Sequence, residues 1–348
     1  MLYVTVKPTP YRTLFFNELA KKCDLTVLYE SAAPGARDAK WQQSEELKHK
    51  AVFLKKNGGG SSLVALLRMI RMVFGRWDAV VMGCWNLKME LLTTLLMRLL
   101  GIRYTLNLDG EYFFSGSSLK QRMKRFFVRG AGSYVVAGEE SAKSLKEVVG
   151  DRPIIVYYFS SLTDDEIRLK AQSTQQRGDT ILVVGRNFPY KGMDIIPPVA
   201  RMNPSLHFKL VGMGEAGTEV FKKENNLEGI ENIEFVPFLQ KDDLDKEYRS
   251  SRMLILPSRR ECWGLVINEA AAFGTPIVST LGSGAAVEFL GKDYPRLLAK
   301  PGDAESLNQC IQNFLAMDDV SAYSRFLKQK SEKYTISINV MAHLKLFE

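Results

Sequence analysis

The chain has few of the residues that build metal centres or covalent frameworks. Its 348 residues include four cysteines, Cys23, Cys84, Cys262 and Cys310, and three histidines, His49, His207 and His343. No pair of cysteines has C-x-x-C spacing, so neither structural zinc nor a disulfide scaffold is expected, and a reducing cytosol suits the composition. The acidic pairs Asp164-Asp165, Asp242-Asp243 and Asp318-Asp319 are read as caps or openings of helices, and no metal requirement is expected. Long apolar runs are also missing. The longest candidate, 91–100, is about half of what a membrane helix needs and is interrupted by Arg98. Met1 leads straight into a strand-like run over 2–6, with no basic region or cleavage site ahead of it, so no signal peptide is expected. The expected location is cytoplasmic, with peripheral contact at the inner face of the cell membrane as an extension of that reading.

What the chain does have is apolar content, 46% of residues, enough for two cores at this length. It also has an uneven charge. Residues 1–160 carry 24 Lys and Arg against 14 Asp and Glu, a net of +10; the remainder carries 23 against 25, a net of −2, which together give the overall +8. The positive field of the first half suggests an anionic partner there. Seven basic residues and no acid fall within 47–77, and five basic residues and no acid within 112–138. In the second stretch Leu119, Met123, Phe126 and Phe127 recur at helical spacing; in the first, Leu63, Leu66, Leu67, Ile70, Phe74 and Trp77 line one helical face. Such stripes ordinarily pack on their own sheet, which is the expectation here, although basic amphipathic helices also bind anionic membranes. Nucleic acid ranks low, because no zinc, helix-turn-helix or aromatic-basic RNA module is visible.

Apolar, β-branched runs bounded by turns recur at 2–6, 25–28, 79–82, 104–108, 134–137 and 154–158, and again at 180–184, 206–211, 233–238, 253–257, 276–279 and 296–299, with helical patterns between most of them. Two alternating β-α series predict an α/β fold of two doubly wound, Rossmann-like parallel-sheet domains. The boundaries fall at 1–160 for the first domain, 161–178 for a linker, 179–333 for the second, and 334–348 for a last helix long enough to return to the first. The stretch 172–178 has nothing apolar to bury, hence the linker. Gly58-Gly59-Gly60-Ser61-Ser62 reads as a flexible loop.

Function is concentrated in the second half. Glu261 and Glu269 bracket a strand-to-helix turn that follows the 253–257 strand. Open α/β sheets bind ligands at such carboxyl ends of strands, and Gly264, Leu265 and Val266 offer backbone N–H groups at a helix N-terminus, which favours an anion. Two carboxylates on either side of an anion site suit a sugar nucleotide, with hydroxyls at both ends and a diphosphate between. Upstream, the 180–184 strand runs into Arg186 and Lys191, cations able to hold a diphosphate and neutralise it as it departs. The run Gly212-Met213-Gly214-Glu215-Ala216-Gly217 spells G-x-G-x-x-G, but it follows an earlier strand of its domain and lacks the acidic residue at the next strand end. It is read as a nucleotide-facing glycine turn without a nicotinamide.

The order Gly185-Arg186, Lys191-Gly192, Gly212-Met213-Gly214, then Glu261 through Glu269-Ala270 resembles retaining glycosyltransferases of family 4, of the bacterial surface-polysaccharide type. The specific match covers 179–303. The resemblance implies a GT-B fold, two Rossmann-like domains facing a cleft, with an acceptor-binding first domain and a sugar-nucleotide-binding second one. It implies that Arg186 and Lys191 hold the diphosphate, Glu261 the donor sugar, and Glu269 the ribose, that the amides of Gly264, Leu265 and Val266 meet the phosphates, and that Phe238 and Leu239 cover the base. It further implies a metal-independent hexosyl transfer from a UDP or GDP sugar, without another cofactor, to a glycan or polyprenyl-diphosphate-linked acceptor for capsule or lipopolysaccharide. Members commonly carry a histidine after the fourth or fifth strand of the first domain, facing the sugar. This chain has none there, and Asp109, after the 104–108 strand, is the group expected to meet the sugar or acceptor hydroxyl. Lys7-Pro8-Thr9-Pro10-Tyr11-Arg12 takes the place of the family's glycine-rich loop. A sugar-nucleotide epimerase and a non-catalytic sugar-nucleotide binder would share these features; a dehydrogenase comes last.

Overall fold

Strands that are buried on both faces must be apolar throughout, and the fully buried runs at 2–4, 80–82 and 253–256 lie inside their sheets. A computed structural model describes residues 1–31, 46–55, 62–83, 88–109, 118–173 and 176–348. The glycine-serine loop read at 58–62 lies outside these except for Ser62, as does Cys84. The chain divides into two units, Met1–Ser161 with Ile336–Glu348, and Leu162–Thr335.

The first unit holds a parallel seven-stranded sheet: β1 (Leu2–Thr5), β2 (Thr26–Ser31), β3 (Lys50–Lys55), β4 (Val80–Met82), β5 (Thr105–Leu108), β6 (Ser133–Ala137) and β7 (Ile154–Tyr157), in the order β3-β2-β1-β4-β5-β6-β7. One face is covered by α2 (Ser62–Val73), α3 (Lys88–Leu99), α4 (Leu119–Val128) and α5 (Glu139–Val149), which bury Met69, Val73, Met97 and Leu145 on the sheet. The other is covered by α1 (Pro10–Ala20) and α14 (Ile336–Leu344), whose Phe15, Phe16, Ile336 and Val340 meet Tyr3, Val27 and Tyr29. Residues 336–344 thus return to pack on α1 and β7.

Two readings of this unit need correction. Strand β3 was not anticipated. Lysines at both of its ends and its edge position make it look like part of a basic loop, and its pairing with β2 supplies what periodicity does not. The apolar stripes of α2 and α4 were expected to pack on the sheet. Leu66, Phe74 and Trp77 of the first stripe do pack against the core beside the fully buried Ala65, Met69 and Val73, but Leu63, Leu67, Leu119, Met123 and Phe126 are exposed. Helix α2 is apolar on more than one side, and its small and flexible residues are the ones that fit the close sheet contact.

The second unit holds a parallel six-stranded sheet of β8 (Thr180–Val184), β9 (His207–Val211), β10 (Ile233–Val236), β11 (Met253–Leu256), β12 (Ile277–Thr280) and β13 (Leu298–Ala299), ordered β10-β9-β8-β11-β12-β13. The order reverses between β8 and β11, and the crevice at that reversal is where doubly wound sheets bind ligands. The first half of the stretch read as a linker holds a helix. Thr163 and Glu166 form a reciprocal capping box that starts α6 (Asp164–Ala171), and Leu162 and Ile167 pack on Ala272. Arg177 then donates from Nη1 to the carbonyls of Tyr248 (2.9 Å), Arg249 (3.1 Å) and Ser251 (3.2 Å), and from Nη2 to that of Phe273 (2.9 Å). Arg177, with nothing apolar to bury, is anchored by its guanidinium instead.

Candidate active site

Helix α10 (Leu265–Ala272) leaves β11 through a turn built for close approach. Gly264 has φ +106°, and a Cβ there would stand 2.9 Å from Ser283 Oγ and 3.0 Å from Leu256 Cδ2. Ser283 Oγ donates to the Trp263 carbonyl (2.8 Å), and buried Trp263 donates from Nε1 to Asn268 Oδ1 (2.9 Å). The turn is therefore fixed on both sides, and the amides of Gly264, Leu265 and Val266 stand at the N-terminal end of α10, where the helix dipole is positive. Ile267, Asn268, Ala270 and Ala271 face the core, which leaves Glu269 half-buried on the opposite side. Tyr248, buried on α9 (Lys241–Ser250), donates its hydroxyl to Glu269 Oε2 at 2.9 Å. Burial raises the Tyr248 pKa well above its ordinary value and the charge of Glu269 raises it further, so the phenol stays a donor.

The cations come from the neighbouring strand. After β8, the chain makes a tight 3-10 turn, Pro189–Lys191, closed by Gly192 at φ +67°. A Cβ on Gly192 would overlap the carbonyl oxygen of Pro257, at the end of β11. That contact requires glycine and seats the Lys191 turn against the Glu261 loop. Lys191 Nζ is ion-paired with Glu261 Oε2, both groups about four-fifths shielded, and Ser258 Oγ donates to the same oxygen at 3.4 Å. Arg259 grips Asp194 with both guanidinium nitrogens at 2.5 and 2.6 Å, and the backbone N–H groups of Arg259 and Arg260 donate to the Tyr190 carbonyl. That hydrogen bonding to Arg259 holds the Asp194 carboxyl below its usual range. The Arg186 guanidinium lies 4.6 Å over the Phe188 ring, which stacks on Tyr190 with an interplanar angle of 8°.

The remaining predicted residues of this unit line up along the same sheet edge. Gly212 (φ +104°) follows β9 with its Cβ position 3.4 Å from the Gly185 carbonyl oxygen, and Gly214 begins α8 (Gly214–Glu224). Phe238 and Leu239 follow β10, half-buried. Four adjacent strands, β10, β9, β8 and β11, thus deliver Phe238 and Leu239, Gly212 and Gly214, Arg186 and Lys191, and Glu261, in that order. Sequence reasoning missed Tyr248, Ser258 and the Arg259–Asp194 clamp. The pairing of β8 with β11 brings Asp194 to Arg259, the packing of α9 on α10 brings Tyr248 to Glu269, and Ser258 reaches Glu261 within one loop.

Asp109 belongs to the first unit, at the end of β5. It pairs with Arg12 of α1 and accepts from the Tyr157 hydroxyl at 2.8 Å, while Arg12 also donates to Thr5 Oγ1 at 2.7 Å. Burial is the largest single influence on Arg12 and opposes its charge, but Asp109 together with Tyr11, Tyr3 and Tyr157 outweighs it and raises the Arg12 pKa. Asp109, Tyr157 and Arg12 line a cavity of about 20 Å³, room for a single water, together with Asn339 and His343 of α14. Among the described residues no group of three His, Cys, Asp or Glu side chains is placed to hold a metal. Of the acidic pairs, Asp164-Asp165 and Asp242-Asp243 lie in the first turns of α6 and α9, and Asp319 caps α13 (Val320–Ser331). None of the described helices is long and apolar enough to cross a membrane.

Two parallel-sheet, Rossmann-like units are the fold of the GT-B glycosyltransferase class. The HepE protein of Anabaena, solved with UDP and glucose, superposes with a TM-score of 0.71 over 99% of this chain and 98% of that one, at 17% identity. Sucrose-phosphate synthase of Thermosynechococcus elongatus superposes with 0.69 over 99% and 97%, also at 17% identity. Residues 164–333, which are 170 of the 348, match the family model described as Glycosyl transferases group 1. An uncharacterized glycosyltransferase of Haemophilus influenzae is 29% identical over 185 residues, 52% of this chain and 51% of its own length. A D-inositol 3-phosphate glycosyltransferase of Mycolicibacterium gilvum is 33% identical over 113 residues, 31% and 25% of the two chains. The chain spans about half the length, or less, of these curated relatives.

Proposed function

We propose that the protein is a retaining, metal-independent hexosyltransferase of the family 4 type, which moves a sugar from a UDP or GDP sugar to a glycan or polyprenyl-diphosphate-linked acceptor in surface-polysaccharide synthesis. The observation that carries this reading is the Lys191–Glu261 pair beside the N-terminus of α10. The cation assigned to the leaving diphosphate and the carboxylate assigned to the donor sugar meet directly, from the loops that follow β8 and β11. In this reading Arg186 and Lys191 bind the diphosphate with the amides of Gly264, Leu265 and Val266, Glu261 orients the sugar hydroxyls, and Glu269, steadied by Tyr248, binds the ribose. Gly212 and Gly214 let the nucleotide approach the backbone, and Phe238 and Leu239 cover the base. The UDP bound to HepE supports a UDP-type donor.

The bond from the anomeric carbon to the diphosphate breaks as the acceptor oxygen attacks on the same face, and the acceptor proton passes to the departing phosphate oxygen. Negative charge grows on the diphosphate during this step, so the cations stabilise the transition state more than the bound donor. Asp109, oriented by Arg12 and Tyr157 and still 29% exposed, is assigned to the sugar or acceptor hydroxyl. The test is steady-state turnover alongside donor binding: Arg186→Ala and Lys191→Ala each lower kcat by about 100-fold or more and weaken donor Kd far less. Equal losses in both would remove these residues from the chemical step.

A further inference from the structure

Of the 17 large apolar side chains exposed among the described residues, nine fall on α2, α3 and α4 or the turn after α3. That concentration is not the single scatter normal for a soluble surface. Helix α2 contributes Leu63, Val64 and Leu67, at 63, 47 and 57% exposure, although its opposite face already buries Ala65, Met69 and Val73. Helix α4 contributes Leu119, Met123 and Phe126, and α3 with its following turn contributes Leu92, Leu99 and Leu100. The three helices are consecutive neighbours on one face of the first unit's sheet. Arg98 of α3 ties two of them together, with its guanidinium 4.3 Å over the Phe126 ring and a 2.9 Å hydrogen bond to the Phe126 carbonyl.

The charge on these helices has one sign. Arg68 and Arg71 on α2, and Arg122 on α4 with Arg129 just beyond it, are exposed. Helices α2 and α4 contain no acidic residue, and the single one of α3, Glu90, is buried. Leucines interspersed with arginines over a helical layer suit a medium that is anionic at its surface and apolar a few ångströms below. A second copy of the chain would set guanidinium groups against guanidinium groups. A nucleic acid would pair the arginines but leave the leucines in water.

We infer that the outer face of α2, α3 and α4 is a docking surface for an anionic lipid bilayer, on which the protein sits without spanning it. The apolar side chains enter the interface and the arginines meet lipid phosphates. This inference stands apart from the transfer reading, since it needs neither donor nor acceptor.

The test is co-sedimentation of the full chain with vesicles of phosphatidylcholine alone, and of phosphatidylcholine containing phosphatidylglycerol, with no nucleotide present. Binding to the anionic vesicles only is expected, and it should fade as salt is raised. Arg71→Gln and Arg122→Gln should each weaken it roughly fivefold, the equivalent of about 1 kcal/mol per basic residue near such a surface. The double variant Leu67→Ser with Met123→Ser should abolish it. All four positions are exposed or face solvent, so the melting temperature should stay put. Equal binding to both vesicle types, no loss in either set of variants, or self-association relieved by the same substitutions would overturn the inference. Nucleotide-dependent stabilisation, measured without vesicles, reports on the second unit alone, so failure of the docking surface and failure of the transfer reading are separable.

Discussion

At the scale of single residues, the account rests on side chains held by partners that sequence alone does not supply. Glu261 and Glu269 were legible because both sit in one short run after a recognisable strand. Tyr248 was not, because it lies 21 positions before Glu269 on a helix whose pattern says only that one face is buried. Its hydroxyl is the donor that fixes Glu269, so Tyr248→Phe should raise the donor KM roughly fivefold, as expected for one lost hydrogen bond, and leave kcat nearly unchanged. An equal fall in kcat would mean that Tyr248 acts on the chemical step. Lys191 illustrates the converse. Its place after β8 could be read from the sequence, but its pairing with Glu261 depends on β8 lying beside β11, a neighbour 70 residues away.

At the scale of elements, strand existence was largely legible and packing was not. Twelve apolar runs with strong β-branched content stand out, and Lys50–Lys55 does not, because an edge strand needs only one apolar face and can end in lysines. The stretch before β8 shows a different failure. Apolar content does not mark Arg177, which is held through carbonyl oxygens and one hydroxyl, and burial lowers its pKa to about 10. Arg177→Ala removes the guanidinium from the carbonyls of the buried residues Ser251 and Phe273 and should cost about 3 kcal/mol of stability in the second unit, read by urea denaturation; a loss below about 1 kcal/mol would show that water replaces the guanidinium without penalty. Gly192→Ala tests the turn that seats Lys191. The added methyl meets the Pro257 carbonyl and the φ is left-handed, so donor binding should fall even where the sheet remains folded, and unchanged donor binding would show that the turn can shift.

At the scale of the whole molecule, the chain builds two sheets by the same winding and closes the first with its last helix. Helix α14 brings His343 into a cage of Tyr3, Phe15 and Tyr157 rings, with Nδ1 3.0 Å from the Asn339 carbonyl. Burial pushes its pKa down to about 4, from an ordinary value of 6.5. The folded form therefore holds it neutral, while the unfolded chain takes up a proton as pH falls below that ordinary value. Between those two values the unfolded state binds more protons, and stability falls as pH falls through this window, by at most about 3 kcal/mol. His343→Phe should flatten the dependence of stability on pH there. A slope as steep as in the unsubstituted protein would assign it to other groups.

The same whole-molecule view holds the central claim, that the switch-point edge of the second sheet binds a nucleoside diphosphate sugar. The most direct measurement is thermal stabilisation by UDP, GDP, ADP, CMP and NAD at equal concentrations, in the unsubstituted protein and in Lys191→Ala and Glu269→Ala. A ligand that binds only the folded state raises its stability by RT ln(1 + [L]/Kd). The account predicts stabilisation by one nucleoside diphosphate, UDP first among them, and its loss in both variants. Stabilisation by NAD alone, or by a nucleotide whose effect survives both substitutions, would contradict it.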